Sequence, residues 1–483
     1  MHPRQLPTLI GALSLALAGC ASVAPRREAS PAIDLPAAWS AESAAANVGA
    51  TSLAQWWLRF DDPLLASLVA QALQANTNVT GAQAALRQAR ALRDVAAAGL
   101  LPVLGSSASA QRSTSGGLNS NANNSFHAGL DASWEVDVFG AKRSALDASD
   151  ATARASAASL GDVQVSIAAE VALSYITLRK AQARLAIAHH NLANQLETLQ
   201  ITQWRLQAGL VTALEAEQAR GAAEQTRAQL PALQTSIEQT RHALAVLSGQ
   251  PPAALAAVLA AERPVPQASG DLALSLPAET LRQRPDVRAA ELQLSAALAR
   301  VAQADAARWP SFKLGGSLGL SALTLGTLTS GASLVSALLA SVSFPIFDGG
   351  ASSAQLRAQQ AAWDQARAAY LATVLSALKD VEDALVALRG DRERLLRLTN
   401  AAEAAGNAAL LARQRFSSGL VDFQTVLETQ RTELSTQDSV ASAGADISAD
   451  HVRLYKALGG GWRPEADDTP IAPSESAMRT SRP

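Results

Sequence analysis

One phrase occurs twice in the chain, as Arg205-Leu206-Gln207-Ala208-Gly209-Leu210-Val211 and as Arg415-Phe416-Ser417-Ser418-Gly419-Leu420-Val421. The two glycines are 419 − 209 = 210 residues apart. Each glycine interrupts a long helical pattern, as does the left-handed residue that closes one helix before a sharp turn into the next. Two helical hairpin tips at matching places predict a chain built from two structural repeats.

Other landmarks recur at nearly the same spacing. Asn78 and Asp286 begin matching helical patterns that are 286 − 78 = 208 residues apart. We therefore expect residues 61–270 to form repeat 1 and residues 271–462 to form repeat 2, each with a β-hairpin and a helical hairpin.

The β-hairpins are predicted from alternation of apolar and polar residues. Phe126 to Asp137 alternates almost perfectly, and its partner begins at Val103, so the first hairpin covers residues 103–137. The second covers residues 312–346. The strands have the length of a membrane β-strand, roughly 9–11 residues. Because four strands cannot close a barrel in lipid, copies of the chain must share one, with eight strands from two copies or twelve from three. The residues alone leave both numbers open.

Long helices should occupy the proline-free stretches. Residues 141–207 would form a helix roughly 100 Å long, and residues 212–247 and 422–458 would return after the tips. Pro231 should kink or break the first returning helix. Apolar residues recur at heptad spacing, as in coiled coils; they include Ile167, Val171, Leu178, Ala181, Leu185, Ala188, Leu192, Leu199, Leu206, Leu371, Val374, Leu378, Val381, Leu385, Leu388 and Leu395.

The N-terminus has the pattern of a targeting signal. An apolar run ends in Leu17-Ala18-Gly19-Cys20, and Cys20 is the only cysteine in the chain. This resembles a bacterial lipobox, so we expect a lipoprotein signal peptide over residues 1–19, lipidation of Cys20 and a lipidated tether over residues 20–60. The alternative is an ordinary secretory signal with a chance cysteine. Residues 463–483 are expected to form a disordered tail.

Composition argues against several other functions. Aromatic residues make up only 4% of the chain, and the formal charge of −2 gives no basic footprint for nucleic acid. The histidines lack ligand-spaced partners, and no Ser/His/Asp order stands out. We therefore expect no enzyme activity, no cofactor and no metal site.

The chain resembles the TolC-like outer-membrane factors, specifically the lipoprotein branch of the outer-membrane efflux family. Five motifs carry the resemblance in family order: residues 17–20, Trp56-Trp57-Leu58-Arg59-Phe60-Asp61-Asp62-Pro63-Leu64, Leu281-Arg282-Gln283-Arg284-Pro285-Asp286-Val287, Phe344-Pro345-Ile346-Phe347-Asp348-Gly349-Gly350 and Ala457-Leu458-Gly459-Gly460-Gly461-Trp462.

The resemblance implies an α+β membrane protein. Three copies would share a twelve-stranded β-barrel and continue into a long coiled-coil α-helical barrel in the periplasm. Such homotrimers lie in the lipids of the outer membrane and serve as the exit duct of tripartite efflux pumps. They meet a periplasmic adaptor and an inner-membrane transporter, for which we expect the RND type.

The resemblance also implies functional residues at the tips. The expected adaptor contacts are Gly209, Leu210, Val211, Gly419, Leu420 and Val421. Family members place carboxylates six and nine residues after the second glycine, around the periplasmic gate. Here Glu428 matches the ninth position, whereas Thr425 departs from the pattern at the sixth. Phe416 matches an aromatic residue of the constriction, and Glu215 fits an acid that braces the gate. The alternative is that Glu215 and Glu428 are solvated charges on coiled-coil helices.

Two functions remain. The favoured one is a passive channel that conducts small molecules outward. The alternative is a non-conducting envelope scaffold whose coiled coil spaces other components, although a scaffold would have no need of four duplicated alternating strands.

Overall fold

A computed structural model of the chain describes residue 39 and residues 53–114, 122–268 and 281–463. The expected signal peptide, Cys20 and residues 464–483 of the expected tail lie outside the described residues.

From the helix Thr77–Ala98 onward the described elements recur in the same order in the second repeat, and the matching helices have equal lengths, which confirms the duplication. The two longest helices have 67 residues each, and the helices that follow the tips have 35 each. The elements of the first repeat are α1 (Pro63–Ala75), α2 (Thr77–Ala98), β1 (Val103–Thr114), β2 (Ala122–Val136), α3 (Ala141–Gln207) and α4 (Ala213–Leu247). Those of the second are α5 (Pro285–Ala306), β3 (Ser311–Ala322), β4 (Leu334–Ser343), α6 (Ala351–Ser417) and α7 (Phe423–Ala457).

The chain folds into two compact units, and these are not the sequence repeats. One unit combines Arg87–Ala155 with Ala290–Leu371 and contains all four strands; the other holds the described remainder and contains both tips. Each unit therefore takes a part of each repeat.

The strands form one antiparallel sheet in the order β1-β2-β3-β4. The register of β2 against β3 keeps faces matched, because Leu130 lies opposite Leu318 and Asp131 opposite Ser317. One face is thus apolar and the other mainly polar along both central strands. The strand β4 ends at Ser343, although the second hairpin was predicted to reach residue 346. Phe344 and Ile346 therefore lie outside the strand. Pro345 explains the early end of β4, because proline has no backbone N–H to donate to a neighbouring strand.

Both edges of this sheet are open within the described chain. β1 pairs only with β2, and β4 only with β3. Because all three pairings are antiparallel, β1 and β4 run in opposite directions. A β4 edge of one copy can therefore continue the antiparallel pattern with the β1 edge of another.

The helical unit has one large apolar core and a second, smaller apolar cluster. Most of the heptad positions are buried, as predicted for coiled-coil packing; they include Ile167, Val171, Leu178, Ala181, Ala188, Leu192, Val374, Val381 and Leu388. Among the described residues, no helix is both long enough and apolar enough to cross a membrane.

The predicted break at Pro231 is wrong. The helix α4 continues from Ala213 to Leu247 with Pro231 inside it. Proline removes the one helical hydrogen bond that residue 231 would donate to the Arg227 carbonyl, and the long flanking helical segments sustain the helix despite that loss.

Two tryptophans near the ends of the described chain, Trp56 and Trp462, pack against the long helices. The Trp56 ring is fully buried and stacks on Tyr455, with ring centroids 5.2 Å apart. A Cβ on Gly161 would lie 2.5 Å from the Trp462 indole nitrogen, so only glycine fits beneath that ring. Trp56–Phe60 form a 3₁₀ helix in this core, so the end of the expected tether belongs to the folded part.

Candidate functional site at the two helical tips

The two tips have the same backbone geometry. Gly209 and Gly419 each have φ of +73°, which confirms the predicted left-handed closure. At the first tip the Leu210 N–H donates to the Arg205 carbonyl at 2.8 Å, and at the second the Leu420 N–H donates to the Arg415 carbonyl at 2.9 Å. This is a Schellman closure, which satisfies carbonyls left free at a helix end. The repeated phrase therefore encodes one structure twice.

The helices that leave the tips are capped by the same pair of chemical groups in opposite order. At α4 the Glu215 carboxylate accepts from the N–H of Thr212, the N-cap, at 2.6 Å and from its hydroxyl at 3.2 Å. At α7 the Asp422 carboxylate, itself the N-cap, accepts from the N–H of Thr425 at 2.8 Å and from its hydroxyl at 2.6 Å. Hydrogen bonds from Thr425 hold the pKa of Asp422 below its usual value.

This exchange accounts for the departure at the sixth position after the second glycine. Thr425 stands 425 − 215 = 210 residues after Glu215, so the two occupy equivalent places. The first tip has threonine at the cap and the acid inside the helix, whereas the second has the acid at the cap. The Glu215 carboxylate is thus engaged within its own tip, in a capping box.

An arginine joins the two tips. The Arg205 guanidinium donates to the carbonyl of Phe416 at 3.2 Å and to that of Ser417 at 3.0 Å. It also lies 4.5 Å from the centre of the Phe416 ring. A cation at the carbonyl end of a helix is favoured by the helix dipole, and its position over an aromatic face adds a cation–π attraction.

Phe416 lies between this arginine and a small apolar cluster. Its ring centroid is 5.4 Å from that of Phe423, which is buried. The cluster also contains Ala219, Ala222 and Leu427. Residues that begin both returning helices therefore pack together beneath the tips.

Other predicted site residues face solvent. Leu210 and Leu420 are each 74% exposed. Glu428 is exposed, and its carboxylate has no hydrogen-bond or ion-pair partner among the described residues. Of the predicted gate residues, Phe416 thus contacts Arg205 of the first tip, and Glu215 caps its own helix. Glu428 takes part in neither arrangement.

Arg205, Phe423 and Asp422 were not singled out by sequence reasoning. Arg205 begins the first copy of the repeated phrase and Arg415 begins the second. This recurrence could have identified Arg205 as a candidate site residue. Asp422 begins a helix after a tip, where a carboxylate is a preferred N-cap. Only the structure shows that Phe423 packs on Phe416.

Residues 68–250 and 276–460 match the model of a protein family described as outer membrane efflux protein. The chain belongs to the outer membrane efflux protein family. It is similar to the pyoverdine export outer membrane protein OpmQ of Pseudomonas putida, with 34% identity over 96% of this chain and 99% of the relative. A probable outer membrane lipoprotein, SilC of Salmonella typhimurium, is 29% identical over 92% of this chain and 96% of its own.

Among solved structures, the outer-membrane channel OprN superposes with a TM-score of 0.83 at 37% identity, covering 90% of this chain and 100% of that one. The fold is therefore TolC-like, and this efflux family member is an outer-membrane channel of the kind that serves tripartite pumps. The matching family is one of channel proteins and not of enzymes.

Proposed function

We propose that three copies of this efflux family member form the exit duct of a tripartite pump, opened at the helical tips by its partners. The observation that carries the proposal is the pair of open strand edges, β1 and β4, on an otherwise complete antiparallel sheet. Unpaired backbone groups are unfavourable in lipid by several kcal/mol each, so these edges must meet other copies.

The number of copies follows from the space inside the barrel. Eight strands enclose an interior that side chains fill, whereas twelve leave room for a pore. A small-molecule duct therefore favours three copies with four strands each. Pairing of β4 with β1 of the next copy closes such a ring with antiparallel neighbours throughout.

The gate is proposed at the second tip. Three copies would bring three Glu428 carboxylates around one axis, and a carboxylate ring favours cations by close-range electrostatics. Glu428 is free for this role because its carboxylate has no partner in the described chain. Phe416, held under the Arg205 guanidinium, would set the position of the helix end. Glu215, as the cap of the first returning helix, would brace the tip that carries Arg205.

The tips are proposed to contact the periplasmic adaptor. The exposed leucines Leu210 and Leu420, with the flanking glycines and with Val211 and Val421, present an apolar surface on each tip. An inner-membrane transporter of the RND type would complete the pump. The name of OpmQ refers to pyoverdine export, which supports a small organic molecule as cargo. Lipidation of Cys20 is likewise proposed, and the description of SilC as a lipoprotein supports it.

The test is efflux by intact cells. A strain lacking the protein should accumulate a fluorescent efflux dye, and the wild-type gene should restore its export. Substituting Leu420→Asp should abolish export while the trimer still reaches the outer membrane, because the side chain is exposed. Val258→Asp, at another exposed apolar position, is the matched control and should export normally. Unchanged dye accumulation on deletion would favour the scaffold function.

A further inference from the structure

The hydrogen bonds that join the two tips, called here the arginine bridge, are donated by the first tip and accepted by the second. The arginine bridge runs from Arg205 on the first tip to the carbonyls of Phe416 and Ser417 on the second. All three residues belong to the doubled phrase, so each has an equivalent 210 residues away: Arg415, Leu206 and Gln207.

The side chain of the equivalent arginine, Arg415, makes no such bridge within the part of the chain that the structure describes. Arg415 is exposed, and its guanidinium has no hydrogen-bond or ion-pair partner among the described residues. Arg205, by contrast, has both of its terminal nitrogens engaged. The two arginines thus differ in contacts although their backbones are equivalent.

The equivalent acceptors are equally available. The Leu206 carbonyl accepts the Gly209 N–H at 2.9 Å, just as the Phe416 carbonyl accepts the Gly419 N–H at 3.0 Å. A carbonyl oxygen has two lone pairs, and at Phe416 the second one receives Arg205. At Leu206 the second lone pair remains for an outside donor.

The relation between the tips explains why one chain cannot make both bridges. The step from the first tip to the second is head-to-tail, and repeating such a step leads to a third tip, not back to the first. In a closed ring that third tip is the first tip of another copy.

We propose that Arg415 of one copy donates to the main-chain carbonyls of Leu206 and Gln207 of a second copy, so that the entrance is closed by arginine bridges that alternate within and between chains. This inference rests on the proposed trimer. The bridge between chains has no aromatic partner, because Leu206 stands where Phe416 lies under Arg205. It is therefore the weaker bridge, and the entrance opens there first.

Cysteine cross-linking tests the contact directly. The chain has a single natural cysteine at the expected lipidation site. A protein with Arg415→Cys and Gln207→Cys, treated in the membrane with a short bifunctional thiol reagent, should run as covalent dimers and trimers. The matched control carries Arg205→Cys and Ser417→Cys, the equivalent pair, and should cross-link within one chain and stay at monomer size with its free thiols consumed.

The outcomes separate this inference from the proposed function. If the control consumes its thiols but the Arg415→Cys and Gln207→Cys protein stays monomeric on the gel while its native form is a trimer, the inference is wrong and the trimeric duct stands. If the wild-type protein is not a trimer, the proposed function fails.

A second measurement avoids cysteines and does not require the double variants to fold. Arg415→Gln should raise the open probability of single channels in a planar bilayer about tenfold, the effect expected for loss of one charge-assisted hydrogen bond. Arg415→Lys, which keeps the charge, should recover part of the closure. An Arg415→Gln channel that opens no more often than wild type would overturn the proposal.

Discussion

Substitution of Gly419 by valine should stop efflux while leaving the assembled protein intact. The backbone at Gly419 has φ of +73°, which L-residues with a Cβ adopt at a cost of roughly 1–2 kcal/mol. No atom of the described residues lies within 4 Å of the place a Cβ would take, so the effect comes from the backbone and not from a clash. Alanine therefore lowers the equilibrium constant for forming the left-handed tip conformation by a factor of roughly 5–30, and valine lowers it further because it is β-branched.

The assembled core should survive this change. Its contacts, such as the stacking of Trp56 on Tyr455, involve no residue of the tip. The matched control is Gly390→Ala inside α6, the helix that ends just before Gly419; there a Cβ would also meet no atom of the described residues within 4 Å, and the backbone is helical. That substitution should stabilise the protein by about 0.5–1 kcal/mol.

Dye export and the amount of outer-membrane trimer are measured side by side in the deletion strain. We expect normal trimer for all three variants, no export for Gly419→Val, reduced export for Gly419→Ala and full export for Gly390→Ala. Full export by Gly419→Val would show that the tip does not need the left-handed turn, and loss of its trimer would show that the turn also supports assembly.

Three further effects follow from the core and the caps. Gly161→Ala would place a Cβ 2.5 Å from the Trp462 indole nitrogen, and thermal unfolding should show destabilisation by about 1–3 kcal/mol. Trp56→Ala removes a fully buried ring and should destabilise by about 3–5 kcal/mol in the same assay. The pKa of Asp422 lies below its ordinary 3.8, so its cap is fully formed above that pH and is lost as the pH falls through the folded-state pKa. Hydrogen exchange at the start of α7 should therefore quicken on acidification, and Asp422→Asn should remove that pH dependence.

Sequence reasoning predicted those parts of the fold that depend on local pattern. The 67-residue helix from Ala141 to Gln207 ends as predicted because the Gly209 phrase imposes a left-handed closure. Strand alternation likewise predicted the faces of β2 and β3, since one residue's shift would turn every side chain over. The helix through Pro231 was mispredicted because long flanking helical segments outweigh one missing donor.

Contacts between distant parts of the chain could not be predicted in this way. No local pattern tells that Arg205 reaches the carbonyls of Phe416 and Ser417, or that Gly161 is needed beneath Trp462. Trp462 is 462 − 161 = 301 residues away from Gly161 in the sequence. The roles of Glu428 and Phe416 at a gate depend on other copies of the chain and stay predictions.

Single-channel recording of the purified protein in a planar lipid bilayer shows whether the trimer conducts. We predict discrete conductance steps that favour cations, and a shift of the reversal potential toward weaker cation selectivity in Glu428→Gln. Absence of any conductance in both the wild-type protein and Glu428→Gln, from preparations that are trimeric, would show that the protein is not a channel.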